Sequence, residues 1–244
     1  MQKRGDRLMP TTGKLYLYTP KYEAQDMVKK LENYNKETRE TYGAEDIALG
    51  TRIMDVKVSH ERVMGLYEKD AVDVKKYRGE DRAAPYTQSA KFIFFCDEER
   101  PYLVVLGNKG LADTIANELS ILLHEQTGHI LEPILNLRGI RELYESGEAT
   151  KVIFFDDVEI PNLDKATIYG TNLIQTDFYG RFIDVGNPWW VIYKHRATEL
   201  VVGIHKKALV CIFSSCTDDE YLEYVTDNVI PLVLHRHREE AGKP

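Results

Sequence analysis

Residues 89–128 constrain the fold of this chain more than any other stretch. They read as an apolar strand (91–96), an acidic turn (97–101), a second apolar strand (102–106), a Gly-bounded turn (107–110) and an amphipathic helix (111–127). Leu111, Ile115, Leu119, Leu122 and Leu123 fall on one helical face. Gly128 stands where a C-terminal cap places a residue with positive φ. A second version runs over 188–234. Three short strands (189–195, 200–204 and 209–213) lead to a helix opened by Thr217-Asp218-Asp219-Glu220. That tetrapeptide is a capping box, in which the Thr hydroxyl and the Glu carboxylate each satisfy a free backbone N–H. Pro231 interrupts the helix, because it has no N–H and clashes with the preceding turn.

The preceding residues divide in the same way. Residues 14–19 alternate polar and apolar, as a strand does. Met27, Val28, Leu31 and Tyr34 are spaced for a surface helix over 22–41, stopped by Gly43. Strands are expected at 46–58 and 62–68, joined by a turn at Ser59-His60-Glu61, and a third at 71–77. The polar run 78–88, with Gly79 and Pro85, reads as a loop. In the later half, a short strand at 129–134 precedes a helix at 137–146. Strands follow at 151–160, 165–169 and 176–185. The expected fold is α+β, in two related halves (14–128 and 129–235). Each is a mainly antiparallel sheet with helices on one side, in the order strand, helix, strands, helix. Residues 1–13 and 236–244 are expected to be flexible termini.

Composition bounds the function. Of 244 residues, 43% are hydrophobic and 29% charged, which suits a globular core. No apolar run approaches the roughly 20 residues that cross a bilayer, and no apolar signal core follows the basic start of the chain, so a cytoplasmic protein without membrane association is expected. The net charge of −7 disfavours a whole-surface grip on duplex nucleic acid. Cys96 and Cys211 lie in apolar runs and Cys216 stands apart. Three scattered thiols make neither a disulfide framework nor a zinc site.

Several constellations invite chemistry. His124-Glu125-Gln126-Thr127-Gly128-His129 is similar to a zinc-protease motif, but its histidines are five apart rather than four. Asp55-Val56-Lys57 on a strand, with Asp46 upstream, is similar to the D/E-x-K of Mg²⁺-dependent nucleases. There carboxylates hold the ion and the lysine serves the attacking water. Asp156, Asp157 and Glu159 end an apolar strand, where charges also blunt an edge. Gly107-Asn108-Lys109-Gly110 opens a helix whose free N–H groups, with Lys109, suit a phosphate. Trp189 and Trp190 begin a strand, so alternation sends one indole into the core and the other outward, near Tyr193, His195 and Arg196. With His205, Lys206 and Lys207 in the next turn, these residues form a local basic rim if the two turns point the same way.

The order of elements, taken over residues 14–234, resembles the TATA-box-binding protein family, whose two repeats form a curved antiparallel sheet with helices on one side. The proline-broken last helix, Asn228 to Leu234, is also similar. That family wedges Phe side chains between base steps from its strand turns. Here those turns are Ser59-His60-Glu61 and Asp97-Glu98-Glu99-Arg100, polar and acidic, so the resemblance implies the fold without DNA bending of that kind.

No motif fixes a chemistry. The reading the sequence favours is a non-enzymatic binding or adaptor protein that holds a protein partner on a curved sheet and its rim, without metal or cofactor. Nucleic acid at the basic rim stays open. So do two alternatives: a Mg²⁺-dependent nuclease or phosphodiesterase using Asp46, Asp55 and Lys57, and a nucleotide or phosphate sensor at Gly107 to Gly110.

Overall fold

The computed structural model describes residues 10–43, 45–97 and 101–234. Most of the expected flexible termini, and residues 98–100 of the acidic turn, lie outside the described residues. Contacts divide the chain into two units, Gly13–Leu131 and Glu132 onward, the second including the residues up to Thr12. Both are α+β and built on antiparallel strands. Among the described residues no helix is long and apolar enough to cross a membrane.

The first unit runs β1 (Thr11–Tyr18), α1 (Ala24–Leu31), β2 (Asn35–Tyr42), β3 (Glu45–Ser59), β4 (Arg62–Tyr77), β5 (Glu80–Phe95), β6 (Tyr102–Leu106), α2 (Lys109–His124) and β7 (Ile130–Leu131). Its strands lie in the order β2-β3-β4-β5-β6-β1, and β7 pairs with the end of β1. Ala112, Ile115, Leu119 and Leu123 of α2 and Met27 and Leu31 of α1 pack on Tyr16, Tyr67, Phe92, Phe94 and Val105. Burying each of these large side chains contributes about 1.5–3 kcal/mol. Gly65 faces Phe92 across the β4–β5 ladder, and a Cβ there would fall 2.6 Å from the ring.

Four expectations change here. The helix expected over 22–41 ends at Leu31, Asn33 turns the chain with φ 67°, and the charged residues that follow form β2. That strand is an edge, so one side of its ladder is open and its charges stay in water. Residues 62–68 and 71–77 are one strand, and the expected loop at 78–88 is the returning strand β5. Arg78 and Gly79, with φ 51° and 87°, make the tight hairpin turn between them. β3 leaves β4 after Lys69 and β6 meets β5 only from Lys91, so residues 70–88 extend as a two-stranded arm. Pro85 is tolerated there because its edge has no neighbouring strand to supply with an N–H. Residues 11–13, expected in a flexible terminus, belong to β1. Lys14 on that strand is fully buried, with its ammonium paired to Asp113 of α2 and 5.0 Å over the Tyr16 ring.

The second unit runs α3 (Leu137–Glu145), β8 (Ala149–Asp156), β9 (Ala166–Tyr169), one 3-10 turn (Leu173–Gln175), α4 (Asp177–Val185), β10 (Asn187–Lys194), β11 (Val201–His205), β12 (Leu209–Ile212) and α5 (Asp218–Tyr224). Its strands lie in the order β12-β11-β10-β8-β9. The strand expected at 176–185 is the helix α4, capped by the Thr176 hydroxyl, which accepts from the Tyr179 N–H. The capping box at Thr217 and Glu220 is formed. Beyond α5 the helix widens to a π turn over Val225–Val229 and closes as a 3-10 turn with Pro231 in it. Inserting the ring without clash accounts for that change of winding.

Candidate functional site

The second unit's sheet has one face sealed. Ile153, Phe155, Val191, Tyr193, Val202, Ile204, Val210 and Ile212 are buried with Tyr221 and Tyr224 of α5. The opposite face carries the candidate site. Pro188 pairs with Phe155 and Trp190 with Phe154, which makes Trp189 the extra residue of a β-bulge. A bulge interrupts alternation. The two indoles, expected on opposite faces, therefore share one: their centroids lie 5.3 Å and 6.3 Å from the same His205 ring.

Four aromatic side chains join them. Phe154 lies 5.2 Å from Trp189 and 6.4 Å from Tyr169, which is 70% exposed at the end of β9. Across the sheet, Trp190 lies over Gly203, and the Phe213 ring comes within 3.1 Å of where a Cβ on that glycine would be. His205 completes the set, its Nδ1 accepting the Lys207 N–H at 2.9 Å. Each such ring pair contributes about 0.5–1.5 kcal/mol beyond the area it buries. The result is an aromatic surface across β8 to β12 that is preformed and half open to water. Phe154, Tyr169 and Phe213 escape a sequence reading; the signal available for the first was that adjacent phenylalanines (154 and 155) open the same question of facing as adjacent tryptophans.

The expected basic rim is not assembled. Consecutive turns of an antiparallel meander lie at opposite ends of the strand between them. His195 and Arg196 therefore sit at one end of β11 and His205, Lys206 and Lys207 at the other, about 15 Å apart at the usual rise of a strand. The cations also have partners. Lys206 donates to Asp156 at 2.6 Å and Lys207 to Glu132 at 3.0 Å. Arg196 donates to the Gly147 carbonyl at 3.3 Å, and the His195 Nδ1 lies 2.9 Å from the Thr198 hydroxyl. Burial holds the His195 pKa below the usual histidine range. Tyr193 belongs to the core, its hydroxyl 2.5 Å from that of Tyr224. Burial, then the neighbouring Tyr224, pushes its pKa far up.

The other candidates do not converge. Asp46 stands nine residues from Asp55 along β3, roughly 30 Å of extended chain, and accepts from the Thr41 hydroxyl at 2.7 Å. Asp55 has φ 53° within a bulge, so it and Lys57 lose the shared face that alternation assigned them. Asp46, Asp55 and Lys57 are all exposed, and they cannot hold one ion. Lys109 is exposed at the start of α2, where the Asn108 side chain already accepts the Leu111 N–H at 3.0 Å. α2 ends at His124, and Glu125 rather than Gly128 takes the left-handed cap position, although Gly128 does have φ 90°. Among the described residues no group of three His, Cys, Asp or Glu is placed to hold a metal.

The first unit also has a groove of about 720 Å³ lined by Tyr18, Tyr22, Glu61, Cys96 and Asp97. Burial pushes the Cys96 thiol up, so it is protonated at neutral pH and is a poor nucleophile there. The arm carries Lys75, Lys76, Arg78 and Arg82 against Asp70, Asp73, Glu80 and Asp81, a formal charge of zero (four minus four) that gives no grip on phosphates. No protein-family model matches the chain, and no curated protein matches it significantly.

Proposed function

We propose that the chain is a non-catalytic binding protein that holds a protein partner on the aromatic face of β8 to β12. One observation carries this reading: the bulge at Trp189 places both indoles on the outer face with Phe154, Tyr169, His205 and Phe213. Large rigid aromatic side chains supply contact area at little entropic cost and dominate interface energetics. Lys206 and Lys207 beside them are already paired with carboxylates, so the face offers apolar area rather than a field for phosphates. Internal duplication, in the manner of the TATA-box-binding protein family, is our reading of two α+β units that each end a run of antiparallel strands with a helix, α4 dividing the strands of the second. A reducing compartment such as the cytoplasm fits the three free thiols.

The test compares the native chain with a Trp190→Ala/Tyr169→Ser variant, each immobilised, in capture from cell extract and in direct titration with single-stranded RNA and DNA at low salt. A discrete protein retained stoichiometrically by the native chain and lost from the variant supports the reading. Saturable nucleic-acid binding lost from the variant replaces the protein partner by a base-stacking one. Equal retention by both forms removes the aromatic face from the function.

A further inference from the structure

The far end of α2 carries a feature that the aromatic face does not use. α2 ends on His124, which is buried, and Glu125 turns out of the helix with φ 65°. Gly128, with φ 90°, reverses the chain and brings His129 back onto His124. The two imidazoles are stacked, with centroids 4.2 Å apart and planes 8° from parallel. Ser120, fully buried on α2, donates to the Gln126 carbonyl at 3.0 Å and accepts the His129 N–H at 3.2 Å. The Gln126 side-chain nitrogen lies 2.6 Å from the His129 Nε2. In that arrangement the amide donates and the ring nitrogen is bare. The His129 carbonyl in turn accepts the Thr19 N–H at 2.9 Å, at the end of β1. From there Ile130 and Leu131 pair with Tyr18 and Leu17. β7 is only these two residues, too short to stay in place by its own ladder.

We propose that the His124–His129 stack is an acid-sensitive latch that clamps β7 onto β1. Protonating both rings puts two cations in van der Waals contact. Protonating the His129 Nε2 also sets a donor against the Gln126 amide. The surrounding charges reinforce this. The charge of Lys21, in the segment before α1, disfavours a proton on His124, while the Glu125 carboxylate favours the charge of Lys30 on α1. The C-terminus of α2 favours a cation at His124. Burial, then His129, then Lys21 outweigh it and hold the His124 pKa below the usual histidine value. An open segment, with an ordinary histidine pKa of about 6.5, therefore binds protons more tightly than the closed one. The latch is intact above that value and weakens as pH falls through it, by up to about tenfold per pH unit as His124 takes up its proton.

Amide exchange at single-residue resolution tests this in the full chain. The Thr19 and His129 amides report on the latch, and the Leu119 amide, in the middle of α2, is the internal reference. From pH 7.5 to 5.5 the protection of Thr19 and His129 is expected to fall by up to about tenfold relative to Leu119. A His124→Phe/His129→Phe variant keeps the stacked rings without the titration and is expected to show no such fall. Unchanged protection in the native chain, or the same fall in the variant, overturns the proposal. Should the variant not fold, NMR titration of the two native imidazoles decides. At least one pKa well below 6.5 supports the latch, and two ordinary values overturn it.

Discussion

The indole of Trp190 lies over the bare backbone of Gly203: a Cβ on that glycine would fall 2.5 Å from the indole Cζ2. Phe92 lies over Gly65 in the same way, in the core of the first unit. The two pairs differ in what their rings can do when pushed. Phe92 is fully buried and has nowhere to go, whereas Trp190 borders solvent. Gly65→Ala is therefore expected to cost about 1–3 kcal/mol in chemical denaturation. Gly203→Ala is expected to cost less and to shift tryptophan emission to the red. Equal losses of stability would show that Trp190 is as confined as Phe92.

Lys14 and Asp113 make a second comparison. The lysine is fully buried, and the carboxylate accepts from it and from the Tyr16 hydroxyl. Asp113→Ala withdraws a carboxylate that Lys14 faces. Breaking a fully buried pair costs about 3–5 kcal/mol, and Asp113 is partly exposed, so a loss of about 2 kcal/mol is expected. Lys14→Met removes the buried charge itself and is expected to cost less than Asp113→Ala. Urea denaturation of both variants measures the order, and the reverse order would refute the argument.

The Tyr193 and Tyr224 hydroxyls satisfy each other in the core. Tyr193→Phe alone is expected to cost about 1–3 kcal/mol by leaving a buried hydroxyl without its partner, and the double variant Tyr193→Phe/Tyr224→Phe to recover part of that loss. The pair also sets an alkaline limit. Burial raises both groups, Tyr224 and likewise Tyr144 to about 12, against an ordinary value near 10. A raised acid is protonated in the fold after the unfolded chain has ionised. Stability is thus complete below about pH 10 and falls as pH rises toward 12. Phenolate absorbance and circular dichroism should change together over that window. Phenolate forming at pH 10 in a folded chain would contradict it.

The arm at 70–88 should fray without the rest. Gly79 has φ 87°, and no atom lies within 4 Å of where its Cβ would stand, so Gly79→Ala strains the backbone and clashes with nothing. The cost, about 1 kcal/mol, is expected as faster amide exchange in residues 70–88 with little change in the melting temperature. A global loss of stability would mean that the arm is integral to the first unit.

Element types were legible wherever a segment met a uniform environment. α2 has a strong helical periodicity because it buries one face, and β6 reads as a continuous apolar run because both of its faces are buried. Legibility failed where tertiary context reversed a local cue. The charged residues of β2 form a strand because β3 supplies the ladder, a partner that sequence spacing does not register. β5 hides behind Gly79 and Pro85 because its turn needs the first and its open edge tolerates the second. Residues 177–185 spell an aromatic, strand-like run, yet the Thr176 cap makes them a helix. The aromatic residues of the site were half visible. Trp189 and Trp190 stood out, but their common facing depends on a bulge whose register is a matter of two strands and is written in neither one alone.

That bulge gives the aromatic surface an unusual kind of fragility. Changing the identity of one ring, Phe154 or Phe213 for instance, removes one contact and leaves the others where they are. Deleting one residue beside Trp189 restores strict alternation, turns one indole inward against the packed layer and removes it from the surface. The surface is thus encoded partly by a count of residues along β10. It tolerates exchange of its members better than any change in their number.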